Sequence, residues 1–144
     1  MDHRRSTSGF VFNLFGGGIS WMSRRQDVVA LSTTEVEYMV ATHASKEAVW
    51  LQRLCSGIGL VQQVVRLDCD SQSAIFLAKN PAYHSKTKHI DVQYHFVRDM
   101  VEEKKVLLEK VDTLNNVADS LTKSMSKDNF SWCRGTMGIA SLDC

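Results

Sequence analysis

Between Thr33 and Gly57, apolar residues recur at spacings of three and four: Val36, Val40, Ala44, Ala48, Leu51 and Leu54. Side chains so spaced share one face of an α-helix, so the stretch predicts a long amphipathic helix. Ser32 with Glu35 makes a capping-box pattern at its start, and Thr34 with Glu37 fits one too. Gly57 and Gly59 mark its end. A helix with one apolar face must bury that face against another layer. The flanking segments indicate which kind.

Upstream, residues 9–15 (GFVFNLF) and 19–23 (ISWMS) are aromatic and β-branched runs around Gly16, Gly17 and Gly18. That is the pattern of a β-hairpin. Downstream, residues 64–70 (VVRLDCD) and 106–111 read as short strands. A helix over about 71–79 stops at Asn80-Pro81, because the residue before proline avoids the helical region. Residues 90–104 read as a helix with Ile90, Tyr94, Val97 and Val101 on one face, and 116–123 as a short helix. A weak amphipathic pattern around Phe130, Trp132 and Met137 closes the chain. The order β-β-α-β-α-α-β-α predicts an α/β layered fold. Trp21, Trp50 and Trp132 are expected as core anchors.

The chain has 144 residues, enough for one domain. Its 44% hydrophobic and 23% charged residues are a globular balance rather than a disordered one. A net charge of +1 provides no global pull toward nucleic acid, so any such contact needs a local patch. Cys55, Cys69, Cys133 and Cys144 form no C-x-x-C pair, which argues against structural zinc. Cys69 lies in an apolar run and reads as a buried free thiol, so a reducing compartment is the expectation. The start (MDHRRSTSG) has no apolar core of a signal peptide, and no apolar run approaches the ~20 residues of a membrane span. An intracellular location, cytoplasmic or nuclear, and no membrane partner are expected.

Three acidic residues stand out. Asp70 ends a predicted strand, where ligand sites of open α/β sheets gather. Glu37 lies in the first turns of the long helix, and Asp119 near the start of the last short one. Carboxylates converging from different elements suit hard divalent ions, which take oxygen ligands. Two such ions about 3.5–4 Å apart can activate a water and stabilise a leaving oxygen. Each residue also has an ordinary structural reading. Glu37 favours a helix N-terminus, Asp70 can cap the helix that follows, and Asp119 can be a solvated helix residue.

The stretches RRSTSGFVF, ISWMSRRQDVVALSTTEVEYM, LDCDSQSAIFLAKNP, HSKTKHIDVQYHFVR and VADSLTK resemble, in order, the successive motifs of ribonuclease H domains of copia-type retrotransposon Pol polyproteins. They span most of residues 1–124, leaving 125–144 as a tail. The resemblance implies a ribonuclease H-like mixed sheet flanked by helices. It implies hydrolysis of the RNA strand of RNA–DNA hybrids with four carboxylates and two Mg²⁺ ions, beside the reverse transcriptase portion of the same polyprotein. Matched motif by motif, the carboxylates fall on Glu37 in TTEVEYM, with Glu35 as the alternative, Asp70 in LDCDSQSA and Asp119 in VADSLTK. Lys79, His84, Lys86 and Lys88 are candidate contacts to hybrid phosphates, an ordinary solvated loop being the other reading. The same two readings apply to Arg4, Arg5, Arg24 and Arg25.

The family's fourth carboxylate lies on a first strand about a dozen residues before the RRSTSG motif. The chain is therefore expected to lack that central strand, to be marginally stable and to be inactive alone. Three or four buried apolar side chains at ~1.5–3 kcal/mol each would go with the strand. Ser71, Ser120 and Ser124 stand where the family usually has Asn, an apolar residue and Pro. Two further readings are an active nuclease completed by a strand from a partner, and a binding module that does not cut. His84 and His89 lack the companions of a metal site, and His95 with Asp99 is expected to pair on a helix face.

Overall fold

The computed structural model describes residues 7–14, 16–25, 33–60, 64–80 and 95–139. They form a mixed α/β structure with two small sheets and four α-helices. β1 (Thr7–Leu14) and β2 (Gly17–Arg25) pair antiparallel. Phe12 pairs with Ser20 and Asn13 with Gly18, so the register skips Ile19 in a bulge. Gly16 takes φ 79°, a left-handed conformation that glycine adopts without steric cost. The predicted triple-glycine turn is thus shorter, with Gly17 and Gly18 already inside β2.

α1 (Thr33–Gly57) is the long helix. Val36, Ala44, Ala48 and Leu51 of the expected stripe are buried. Leu54 is not: it is 48% exposed, and Cys55 is buried instead. A second buried row, Tyr38, Thr42 and Ser45, is fully covered. Polar residues disguised this row in the sequence. Ser45 meets its burial cost by donating from Oγ to the Ala41 carbonyl (2.7 Å). At the C-terminus, Gly59 (φ 87°) donates to Ser56 O and Leu60 to Cys55 O, a Schellman ending. Gly59 rather than Gly57 is therefore the stop signal.

β3 (Val65–Cys69), α2 (Gln72–Lys79), α3 (Phe96–Glu102) and β4 (Val106–Lys110) follow. β3 and β4 run parallel, Val65 opposite Val106 and Cys69 opposite Lys110. Parallel strands need a crossover rather than a hairpin, and α2 and α3 lie within it. Val106 and Leu108 of β4 are buried, as are Ala74, Ile75 and Ala78 of α2 and Val97 and Met100 of α3. After β4 come two 3-10 turns, Thr113–Asn115 and Val117–Leu121, and then α4 (Lys127–Thr136). The short helix expected over 116–123 is thus a 3-10 turn, and the tail contains an α-helix that buries Cys133 and Met137 while leaving Phe130 and Trp132 exposed.

The sequence led us to expect one mixed sheet. The described residues instead form two two-stranded sheets, and each strand pairs with one neighbour. They fall into two compact units. One comprises β1, β2, the 3-10 turns and α4; the other comprises α1, β3, α2, α3 and β4. The three tryptophans are not core anchors: Trp21, Trp50 and Trp132 are 66%, 56% and 46% exposed. No helix among the described residues is long and apolar enough to cross a membrane.

Candidate metal centre

The second unit brings two of the three singled-out acids together. β3 ends at Cys69 and Asp70 follows at once, at the C-terminal end of a parallel strand. The next residue, Ser71, caps α2, its Oγ accepting from the Ala74 amide (3.2 Å). The cap thus belongs to Ser71, and the reading of Asp70 as the helix cap is replaced. Glu37 comes from the first turns of α1. One ligand atom each from Glu37, Cys69 and Asp70 lies within 4.8 Å of the other two, and all three residues are half-buried. Glu35, the alternative helix carboxylate, is buried and stands outside this group.

The donors differ in chemistry. Burial is the main force pushing the Cys69 thiol up to about 11; the charges of Glu37 and Asp70 add to it. At neutral pH Cys69 is therefore a neutral thiol, a poor ligand for a hard ion. The two carboxylates are the oxygen donors. Lys110, at the end of β4, donates from Nζ to the Asp70 carbonyl (2.5 Å) and the Val111 carbonyl (3.1 Å). It ties the two strand ends together through their backbones. Oxygen donors at the end of a parallel strand pair suit one divalent cation of the Mg²⁺ or Mn²⁺ type.

Asp119 belongs to the other unit, in the 3-10 turn Val117–Leu121. Its carboxylate is only 14% exposed and lies 3.3 Å from Lys123 Nζ. It is therefore not a solvated side chain. Burial raises the pKa of the Cys133 thiol, and the Asp119 charge raises it further. Lys79 is exposed in the last turn of α2. His84, Lys86, Lys88 and His89, with Arg4 and Arg5, lie outside the described residues. Arg24 and Arg25 are exposed at the end of β2.

Over 141 residues, 98% of its length, the chain is 47% identical to the retrovirus-related Pol polyprotein from transposon TNT 1-94 of Nicotiana tabacum. The chain is a relative of retrotransposon Pol polyproteins. Two from Arabidopsis thaliana, those of transposons RE1 and RE2, are 34% and 36% identical to it over 98% of the chain. The chain spans only 11%, 10% and 10% of the lengths of these three relatives. No family model and no solved structure matches it.

Two features of this Pol-related chain were missed in the sequence. The sequence reads Cys69 as a buried free thiol; it is a half-buried free thiol whose sulfur lies within 4.8 Å of carboxylate oxygens of both Glu37 and Asp70. The run of alternating residues 65–70 carried that signal, since Cys69 and Asp70 follow one another at the strand end. The other is a 2.7 Å hydrogen bond between His95 Nδ1 and the hydroxyl of Tyr38. Nothing in local spacing announces a contact across 57 positions.

Proposed function

We propose that this Pol-related chain is a ribonuclease H-like segment, of the kind that hydrolyses the RNA strand of RNA–DNA hybrids, and that it does not cut by itself. The observation that carries the reading is the meeting of Glu37 and Asp70 at the C-terminal end of a parallel strand pair. In this reading Glu37 and Asp70 hold a Mg²⁺ ion, and the motif resemblance makes Asp119, in the other unit, the third acid of the family's set. The ions, when bound, would polarise the water and the leaving oxygen of a phosphodiester. The chain's own residues supply the oxygen ligands, and Lys110 steadies the backbone beside Asp70. Lys79, with His84, Lys86 and Lys88, is assigned to the phosphates of the hybrid. The reverse transcriptase portion of a polyprotein is the natural neighbour, inside the cell and off the membrane.

Each Mg²⁺ wants about six oxygen ligands in near-octahedral array. Glu37 and Asp70, with waters, suffice for one ion; the two-ion route needs a second ion with further ligands, which is why this reading has the chain inactive alone. A second reading has cleavage restored by a strand from elsewhere in a polyprotein. It is favoured by the sheets themselves, since each described strand pairs on one edge only.

The test combines Mn²⁺ binding, followed by the EPR signal of the free ion, with cleavage of a labelled RNA–DNA hybrid. Folded protein should bind Mn²⁺, and Asp70→Asn or Glu37→Gln should weaken binding at least tenfold. No cleavage product should form. Failure of the wild type to bind Mn²⁺ would sink the metal site; cleavage lost in Asp70→Asn would sink the inactivity.

A further inference from the structure

We infer that Tyr38, His95 and Arg98 form a clamp that positions Glu37 against Asp70 for divalent-ion binding. The inference rests on the metal reading of that pair and adds the residues that set its geometry. Glu37 is carried by α1, and Asp70 directly precedes α2. Both helices are tied to a third element, α3. Tyr38 follows Glu37 in sequence and is fully buried. Its hydroxyl and His95 Nδ1 share the 2.7 Å hydrogen bond, with the rings tilted at 5.6 Å between centroids. Arg98, 7% exposed, sits one turn further along α3. Its guanidinium lies 5.9 Å from the centre of the Tyr38 ring, and Nη2 donates to the Leu77 carbonyl of α2 (3.3 Å).

α3 therefore grips α1 at the residue next to Glu37 and grips α2 through Leu77. The start of α2 is fixed in turn by Ser71, the neighbour of Asp70. Apolar packing by Val97 and Met100 supplies cohesion but little register, because it has no direction. Buried hydrogen bonds are directional, so the bonds to the Tyr38 hydroxyl and to the Leu77 carbonyl set register where apolar packing does not, even though Arg98 Nε is buried without an acceptor among the described residues. Metal ligands need placement to about half an ångström, and residues that orient ligands typically alter metal affinity 10–100-fold when changed. Tyr38, His95 and Arg98 are thus positioning residues, none of them a ligand.

The test measures Mn²⁺ affinity of the full chain for six proteins, with circular dichroism to confirm folding. Tyr38→Phe keeps the ring and loses only the hydroxyl; binding should weaken about tenfold. His95→Ala should do the same, and it reads the same bond should Tyr38→Phe fail to fold. His95→Asn, whose amide sits where Nδ1 does and can meet the hydroxyl, should recover most of the loss, which a purely structural role would not require. Val97→Ala lowers the melting temperature without touching the network and should bind Mn²⁺ within twofold of wild type. Wild-type binding in Tyr38→Phe and His95→Ala, or equal weakening in Val97→Ala, overturns the clamp while the metal pair stands. If the wild type binds no Mn²⁺, or Asp70→Asn binds as well as wild type, the metal pair fails and the clamp with it.

Discussion

The two compact units are held together by different means. The unit with the carboxylate pair buries large side chains, Tyr38, Val97 and Leu108 among them, between three helices and a parallel strand pair. The hairpin unit relies on close backbone approach. A Cβ on Gly9 would lie 2.5 Å from the Met22 carbonyl, and one on Gly138 would lie 2.7 Å from the Gly16 carbonyl. Gly18 donates to the Met137 carbonyl (2.7 Å), seating the end of α4 on the hairpin turn. Their acids differ in the same way. Glu37 and Asp70 meet through tertiary packing, whereas Asp119 finds a cation one turn along its own segment. Site geometry in the first unit should therefore follow core packing, and in the second it should follow local chemistry.

The sharpest way to break this contrast is Leu108→Ala. Leu108 is 2% exposed in β4, two residues from Lys110. Truncating a buried leucine costs about 2–5 kcal/mol, depending on how far the site collapses. Urea denaturation should show that loss, and amide exchange should quicken in α1, β3 and β4. Leu107, 44% exposed on the other face, should cost well under half as much when changed to Ala. Equal costs for the two would mean that the unit's core is elsewhere.

Next in size is Gly138→Ala, in the hairpin unit. The residue combines φ 74° with the close approach to Gly16. A left-handed conformation alone costs a non-glycine residue roughly 1–2 kcal/mol. The substitution should loosen α4 from the hairpin, seen as faster exchange of the Gly18 amide. An unchanged Gly18 rate would show that the glycine contacts are incidental.

What could be read in the sequence follows the same divide. Periodicity and glycine signals placed β1, β2, α1, β3, α2 and β4 because those rules act within a few residues. The stripe of α1 was legible only where it was apolar; polar groups disguised Tyr38, Thr42 and Ser45, and Tyr38 meets His95 and Arg98 far along the chain. Motif matching picked out Glu37 over Glu35 and named Asp70, and the structure brings those two together. It had no access to the approach of Cys69 to Glu37 or to the glycine seat of α4. Those depend on which strands and turns meet, and spacing along one element is silent on that.

A pH experiment probes the first unit more gently. The Cys69 thiol is raised from 9.0 to about 11, chiefly by burial, so the folded state holds its proton more tightly than the unfolded chain. Its contribution to stability is full below pH 9 and is lost as pH rises from about 9 to about 11. Between pH 8 and 10.5, wild type should lose more stability than Cys69→Ala in matched urea titrations. Parallel losses would mean that Cys69 is no better shielded than in the unfolded chain.

The smallest effect belongs to Lys123→Met. The Asp119–Lys123 pair spans one turn, and the lysine is 56% exposed. Water and salt screen such a pair, so its loss should cost only about 0.3–0.5 kcal/mol, less at high ionic strength. Asp119 differs from an ordinary surface acid in being 14% exposed beside Cys133. Its charge therefore has fewer waters to fall back on once the ammonium is gone. Denaturation of Lys123→Met at low and at 1 M salt separates the two cases. A small, salt-sensitive cost keeps Asp119 a locally satisfied acid. A cost several times larger that persists at 1 M salt would mean a desolvated charge that depends on its partner, and the hairpin unit would then resemble the carboxylate unit more than its backbone contacts suggest.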